Sequence, residues 1–340
     1  MIRIAVDAMG GDNAPEEIVT GVVEAARRAS GRFEIILVGD EKLINKELNH
    51  HHFIKNLPIS IIPASQKVEM EESAVKAFKD KKDSSISVAI RLHKNGKANA
   101  VVSAGNTGAA MTNAHLYLRS IEGVDRPAIG TLFPNEQGVG LIIDVGSSVN
   151  LKPSNFQQFG VMGSIFMKHI MGIKTPRVGL LNIGEEESKG GSILQRAYKL
   201  LSTSTINFIG NIEGRDILKG TADVMVCDGF VGNILLKFAE SLSGMISKSM
   251  KRTIRGNLPG TVGLYLLRPS LRKLFKMFDY QEYGGAPLLG INGNCVISHG
   301  SSSSRAIKNA IEEAYNMVNN DITQRINERI KAKKGEIGER

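Results

Sequence analysis

Apolar and polar positions along this chain predict short buried strands, glycine-rich turns and amphipathic helices in regular succession. Ile2–Asp7 is an apolar, β-branched run. Ile35–Val38, Ile59–Ile62, Ala98–Val102, Leu141–Asp144, Arg177–Asn182, Ile206–Ile209, Asp223–Cys227 and Cys295–Ser298 read the same way. Between them the apolar spacing changes to three and four residues. This predicts helices over Glu16–Ala29, Ser73–Lys79, Ser85–Asn95, Ala109–Leu118, Asn155–Met171 and Ser192–Ser202. A long helix opens near Asn233, and a last one runs from about Arg305 to Ile330 before a charged tail. Pro15 suits the first turn of the first helix. The stretch with His50, His51 and His52 reads as a polar loop, since adjacent histidines do not readily share one metal.

Strand, glycine turn and helix in this order imply an α/β fold: a doubly wound, mostly parallel sheet in three layers, α/β/α. Residues 1–335 read as one two-lobed catalytic domain. Turns around Gly10, Gly105, Gly146, Gly184 and Gly229 each follow a strand. They are expected to converge on one sheet edge and form a cleft whose backbone approaches a ligand closely.

Composition narrows the picture. A chain of 340 residues can bury a full core. The net charge of +9 points to an anionic partner. Cys227 and Cys295 have no paired spacing, which suggests a reducing compartment and no zinc site. The first residues run straight into a strand, so no leader is expected. No apolar run reaches the roughly 18 residues of a membrane span.

The candidate chemistry centres on Val101–Ala110. A buried strand leads through Ser103–Gly108 into a helix that Asn106 or Thr107 can cap. Strand, glycine turn and helix N-terminus make a cradle of backbone N–H groups for an anion. The same residues also suit a plain tight turn. There is neither a Gly-x-x-x-x-Gly-Lys-Ser/Thr nor a Gly-x-Gly-x-x-Gly pattern, so ATP and dinucleotide readings lack their fingerprints. A second loop, Ile183–Gly191, carries three glutamates and Lys189 between glycines.

Several segments together resemble the phosphate acyltransferases of bacterial phospholipid synthesis (PlsX). They are Asp7–Asp12, Ser103–Ala109, Leu181–Glu187, Val226–Phe230 and Ser298–Gly300. The resemblance runs in register from about Ile4 to about Ile330. It implies a fold similar to phosphotransacetylase and the isocitrate-type dehydrogenases. It further implies a homodimer and transfer of a fatty acyl group from acyl carrier protein to inorganic phosphate, with no cofactor. One departure is visible: Asn150 stands where the family pattern ends in an acid, which argues against a metal there.

That reaction needs an anion held in line and an oxyanion stabilised rather than a strong base. The resemblance assigns an essential lysine to the loop of Lys189, for phosphate or the oxyanion; its alternative is pairing with Glu185–Glu187. Asn233 can donate to the thioester oxygen, or cap its helix. Gly105, Asn106, Thr107 and Gly108 are the expected phosphate site. Asp7, Asp12, Asp228 and His299 are expected around the cleft. Ser301–Ser304 could add hydroxyl donors or cap the last helix. Cys227, in an apolar strand, is expected to be inert. The competing classes are a nicotinamide-dependent dehydrogenase of similar fold and a non-enzymatic membrane or nucleic-acid adaptor.

Residues 233–280 predict a protruding helical hairpin. Leu235, Phe238, Leu242, Met245, Ile246 and Met250 form an apolar stripe, and Leu258, Val262, Leu264, Leu266 and Leu267 an apolar tip. From Ser241 to Phe278 there are eight basic residues and no acid. The stripe is expected to pair in a dimer, and the tip to enter an anionic membrane shallowly. The same face could receive the acidic carrier protein. The chain would then be cytoplasmic, peripheral at the inner face of the cell membrane, beside the membrane glycerol-3-phosphate acyltransferase that uses acyl phosphate. Nucleic acid is not an expected partner.

Overall fold

The structure, a computed structural model, describes residues 1–148, 150–254, 267 and 284–338. The strands are β1 (Ile2–Asp7), β2 (Phe33–Gly39), β3 (Ile59–Pro63), β4 (Ala100–Ser103), β5 (Ala128–Asn135), β6 (Gly138–Ile143), β7 (Arg177–Leu181), β8 (Asn207–Ile212), β9 (Val224–Val226), β10 (Ala286–Leu289) and β11 (Cys295–Ile297). The helices are α1 (Glu16–Arg28), α2 (Glu41–Leu48), α3 (Ala74–Asp80), α4 (Ser85–Lys94), α5 (Thr107–Leu118), α6 (Pro153–Ile170), α7 (Ser192–Ser202), α8 (Gly214–Lys219), α9 (Gly229–Ile254), α10 (Ser304–Asn319) and α11 (Ile322–Gly338).

The strands form one sheet in the order β3-β2-β1-β4-β11-β10-β5-β6-β9-β7-β8. Pairing is parallel from β3 to β11 and again from β6 to β8. In the middle β11, β10, β5 and β6 pair antiparallel. Three successive reversals leave β6, β9, β7 and β8 running opposite to β1–β4 and β11. The expectation that five glycine turns share one sheet edge is therefore corrected. The two halves present their carboxyl ends in opposite senses, and the turns can meet only at the antiparallel seam.

Side chains alternate between two cores. Ile4, Val6, Val102 and Val226 belong to one apolar cluster, whereas Ala5, Val101 and Met225 belong to the other. A sheet buried on both faces needs such near-continuous apolar strands. The first core contains residues of α1, α6, α10 and α11, and the second contains residues of α4 and α5.

Local differences from the sequence reading have local causes. The helix expected near Asn233 begins at Gly229. The last predicted helix divides between Asn319 and Ile322, where Asp321 takes φ 52°. Part of the expected polar loop is α2, capped by the Asp40 carboxylate accepting from the N–H groups of Lys42 and Leu43. The three histidines follow it in the loop, with His50 beside Glu47 at 3.2 Å.

Candidate active site

A groove lies over the antiparallel seam. Its floor includes Ile129 and Thr131 of β5, Ala286 of β10 and Ile297 of β11. One wall is α5, with Thr107, Gly108 and Met111; the other is α9, with Phe230, Asn233, Leu236 and Lys237. This part encloses about 430 Å³. Met111 also lines an adjoining cavity of about 840 Å³, bordered by His115, Arg126, Ser147, Asn150 and Lys152. Asn150 and Lys152 in turn border a third, of about 490 Å³, with Gly191 and Asp228. The three cavities share these walls and succeed one another from His299 to the loop after β7.

The α5 wall is built on Asn106. Its side-chain oxygen accepts from the Ala109 N–H at 2.9 Å, and its carbonyl accepts from Ala110 N–H at 2.9 Å. Its amide donates to the carbonyls of Met70 (2.8 Å) and Glu72 (3.0 Å). Asn106 is thus a cap and a staple to the neighbouring loop. The first-turn N–H groups of Thr107 and Gly108, both on the groove, are the ones left for a ligand.

Asp7 holds this turn from beneath. Its buried carboxylate accepts from Ser103 Oγ at 2.7 Å and from Met9 N–H at 3.2 Å. Burial raises its pKa, and hydrogen bonds from Ser85 and Ser103 oppose the rise. A Cβ on Gly10 would fall 2.7 Å from Gly105 N and 2.6 Å from Asp7 Oδ2, so the two glycine turns touch backbone to backbone. Gly105 is buried and belongs to that contact. Asp12 is exposed on the turn; its N–H donates to the Gly300 carbonyl at 2.8 Å.

The opposite wall is built on Asp144. This buried carboxylate accepts from Ile129 N–H (3.0 Å), Ser148 N–H (2.8 Å) and Ser147 Oγ (2.5 Å), which pins the loop 145–148 to the seam. Burial raises its pKa, with the Ser147 hydroxyl the largest opposing influence. A Cβ on Gly232 would fall 1.9 Å from the Asp144 carbonyl oxygen, so only glycine lets α9 lie against this loop. Asp228 caps α9, its Oδ1 accepting from Val231 N–H at 2.9 Å. Asn233 is therefore not the cap. It stands one turn in, exposed, close to Gly146, and its amide has no hydrogen-bond partner among the described residues.

One turn beyond Asn233, Lys237 Nζ lies 2.9 Å from His299 Nε2 and 2.8 Å from Glu240 Oε2. His299 Nδ1 lies 2.8 Å from Ser301 Oγ. Ser298 and Ser302, both buried, line the same cavity, and the Ser298 hydroxyl has no hydrogen-bond partner among the described residues. Lys237 was not singled out by the sequence reading. Its only signal there is the i, i+4 spacing from Asn233, which puts both on one face of a helix.

Lys189 lies apart from this cluster. Its Nζ is 3.8 Å from Glu186 Oε1, it is about half exposed, and it lies outside the wall that carries Asn233. Its loop reaches the groove through Gly191. Cys227 is buried, donates to the Asp144 carbonyl at 3.3 Å, and has its thiol pKa pushed well up, chiefly by burial. Leu258, Val262, Leu264 and Leu266 lie outside the described residues; Leu267 is described and exposed. On α9, Leu235 packs toward the core, while Phe230, Ile234, Phe238, Leu242, Met245 and Ile246 are exposed. Among the described residues no three His, Cys, Asp or Glu are grouped to hold a metal, and no helix is long and apolar enough to cross a membrane.

The fold and the seam groove define an α/β protein of the phosphotransacetylase architecture. A phosphotransacetylase from Streptococcus pyogenes superimposes with a TM-score of 0.62 at 17% identity, over 94% of each chain. A 4-hydroxythreonine-4-phosphate dehydrogenase from Klebsiella pneumoniae gives 0.52 at 14%, over 94% of this chain and 98% of that one. These likenesses concern the fold. A family described as Fatty acid synthesis protein matches residues 2–325. Phosphate acyltransferases from Halothermothrix orenii (48% identical over 97% of this chain and 98% of that one) and Trichlorobacter lovleyi (45%, over 99% and 96%) align along nearly their whole lengths. The chain belongs to the phosphate acyltransferase family.

Proposed function

We propose that the groove transfers a fatty acyl group from a carrier-protein thioester to inorganic phosphate, for phospholipid synthesis. The observation that carries the assignment is the α5 N-terminus facing Asn233 and Lys237 across one cavity. A phosphate oxygen attacks the thioester carbonyl, the C–S bond breaks, and the thiolate leaves and takes up a proton. Phosphate is largely a dianion near neutral pH, with a second pKa of about 6. It therefore needs positioning more than activation.

In this reading the Thr107 and Gly108 N–H groups hold phosphate at the positive end of α5. Asn233 donates to the carbonyl oxygen as negative charge develops there. Lys237, held by Glu240 and His299, supplies the nearby cation. Lys189, on the loop at the far end of the groove, provides a second cation for phosphate or the oxyanion. The acyl donor is acyl carrier protein, an acidic partner suited to the basic stretch from 241 to 278. The exposed apolar stripe of α9 supports a homodimer through that face. The apolar tip, with anionic membrane as its target, would deliver acyl phosphate to the glycerol-3-phosphate acyltransferase there.

The test combines palmitoyl carrier protein, phosphate and the full-length protein, trapping acyl phosphate with hydroxylamine. Phosphate should raise hydroxamate formation well above the direct reaction of hydroxylamine with the thioester, and EDTA should not abolish the increase. Lys189→Met should fold normally and lose about 10²-fold in kcat/KM, the scale of one lost oxyanion donor. Absence of phosphate-dependent hydroxamate would overturn the assignment. Normal turnover by Lys189→Met would remove only that residue's role.

A further inference from the structure

A separate concavity of about 500 Å³ opens at the carboxyl end of α6, between α11 and the start of β7. Its lining carries Lys168, His169, Lys174, Arg325 and Arg329, against a single carboxylate, Glu328. Four permanent cations and one anion give this one hollow a net charge of +3, against +9 for the whole chain.

Local structure explains only part of that charge. Lys168 and His169 stand in the last turn of α6, where cations suit the helix dipole. Lys174 is in no helix, and Arg325 and Arg329 are on a different one. Arg329 bonds the Thr205 carbonyl and hydroxyl, and Arg325 Nε donates to the Asn320 carbonyl at 2.8 Å. Those partners are neutral. They orient the guanidinium groups without cancelling their charge. None of the four cations makes an ion pair with a described residue. The Ser164, Thr175 and Thr205 hydroxyls, also on the lining, add donors of no charge.

We propose that this concavity binds a compact ligand bearing two or more phosphoryl groups, at a site separate from the acyl-transfer groove. Forked guanidinium groups and ammonium groups within one hollow match clustered phosphoryl oxygens. Separation from the groove follows from α6. Lys152 and Asn155, at its start, border the groove, and Lys168 and His169, at its end, border the concavity. Asn155 and Lys168 are about 20 Å apart along it at 1.5 Å per residue. The concavity shares no lining residue with the cavities of the groove.

His169 offers an internal reporter. Burial, then Arg325 and Lys168, hold its pKa below the ordinary value. The charged groups around it are Lys168, Lys174, Arg325, Glu328 and Arg329. A bound polyanion would outweigh the cations and raise that pKa. Binding then takes up a proton and tightens as pH falls through the histidine range.

Calorimetric titration of the full chain with inorganic tripolyphosphate, at fixed ionic strength, tests the site. Lys168→Glu combined with Lys174→Glu should weaken binding at least tenfold and leave acyl transfer, measured without tripolyphosphate, unchanged. His169→Gln should flatten the pH dependence of binding. Lys237→Met, in the groove, should leave the affinity unaltered. Absence of binding by the native chain overturns the proposal, as does binding indifferent to the double substitution. Binding abolished by Lys237→Met assigns the ligand to the groove and likewise overturns it. None of the binding readouts depends on whether the groove transfers acyl groups.

Discussion

Lys237 Nζ lies 2.9 Å from His299 Nε2, so the helix that follows β9 is tied to the loop that follows β11. The two halves, whose strands run in opposite senses, are joined by side chains at the groove itself. Removing the cation should cost catalysis more than stability, because Lys237 is about half exposed. Lys237→Met is expected to lower kcat/KM by about 10²-fold, the scale of one lost charge-stabilising donor. His299→Ala, which acts through Lys237, should cost less. Steady-state hydroxamate assays with circular dichroism on each variant check both. Unchanged kcat/KM in Lys237→Met would remove the residue from the reaction.

Asn233 and Asp228 should separate function from capping. Asp228→Ala removes the hydrogen bond to Val231 N–H and should destabilise the protein by about 1 kcal/mol. Asn233→Ala should leave the urea midpoint within error and lower kcat/KM by about 10²-fold. The reverse pattern, with Asn233→Ala unstable and active, would contradict the assignment of the two residues.

Gly232 is the tightest backbone approach in the site. A methyl group 1.9 Å from the Asp144 carbonyl oxygen cannot be accommodated unless α9 shifts. Gly232→Ala should destabilise by about 1–3 kcal/mol, as overpacking does. It should also impair turnover, since Asn233 and Lys237 ride on the displaced turn. Urea unfolding and kcat measured together test this; a fully stable, fully active variant would count against it.

Glu313 on α10 should make stability depend on pH. It is buried, accepts from Gly285 N–H at 3.1 Å, and leaves Oε1 unpartnered among the described residues. Burial raises its pKa well above the ordinary 4.5, and the Gly285 bond opposes this. The folded state therefore keeps a proton that the unfolded chain has released. Stability should fall as pH rises from about 4.5 through the raised value. Asp7 and Asp144, also raised by burial, act in the same direction. In melting curves from pH 5 to pH 9 (a window chosen about the ordinary carboxylate range), Glu313→Gln should shrink the loss of Tm toward high pH. An unchanged slope would show that Glu313 is not a contributor.

Much of the molecule is local chemistry, and the sequence by itself determined it. Buried strands such as β1 and β7 are nearly continuous apolar runs, and α7 falls where its spacing predicts. The sequence offers Asn106 or Thr107 as the cap of a helix from Ala109; the structure starts α5 at Thr107 and takes Asn106, and the five motifs in register identify the family. Only the tertiary structure decided how these pieces meet. The strands absent from the sequence reading, β5 and β10, are the two central strands of the seam. Gly130, Pro134 and Pro287 interrupt their apolar patterns, and reversal of the sheet depends on them. An apolar run carries no mark of strand direction, so the opposed halves were invisible. Asp228 and Asn233 both have side chains able to cap α9; the backbone path past Asp144 chose the first and exposed the second. Lys237 meets His299 across 62 residues of chain, a contact made by packing α9 against the loop after β11 and by no local preference.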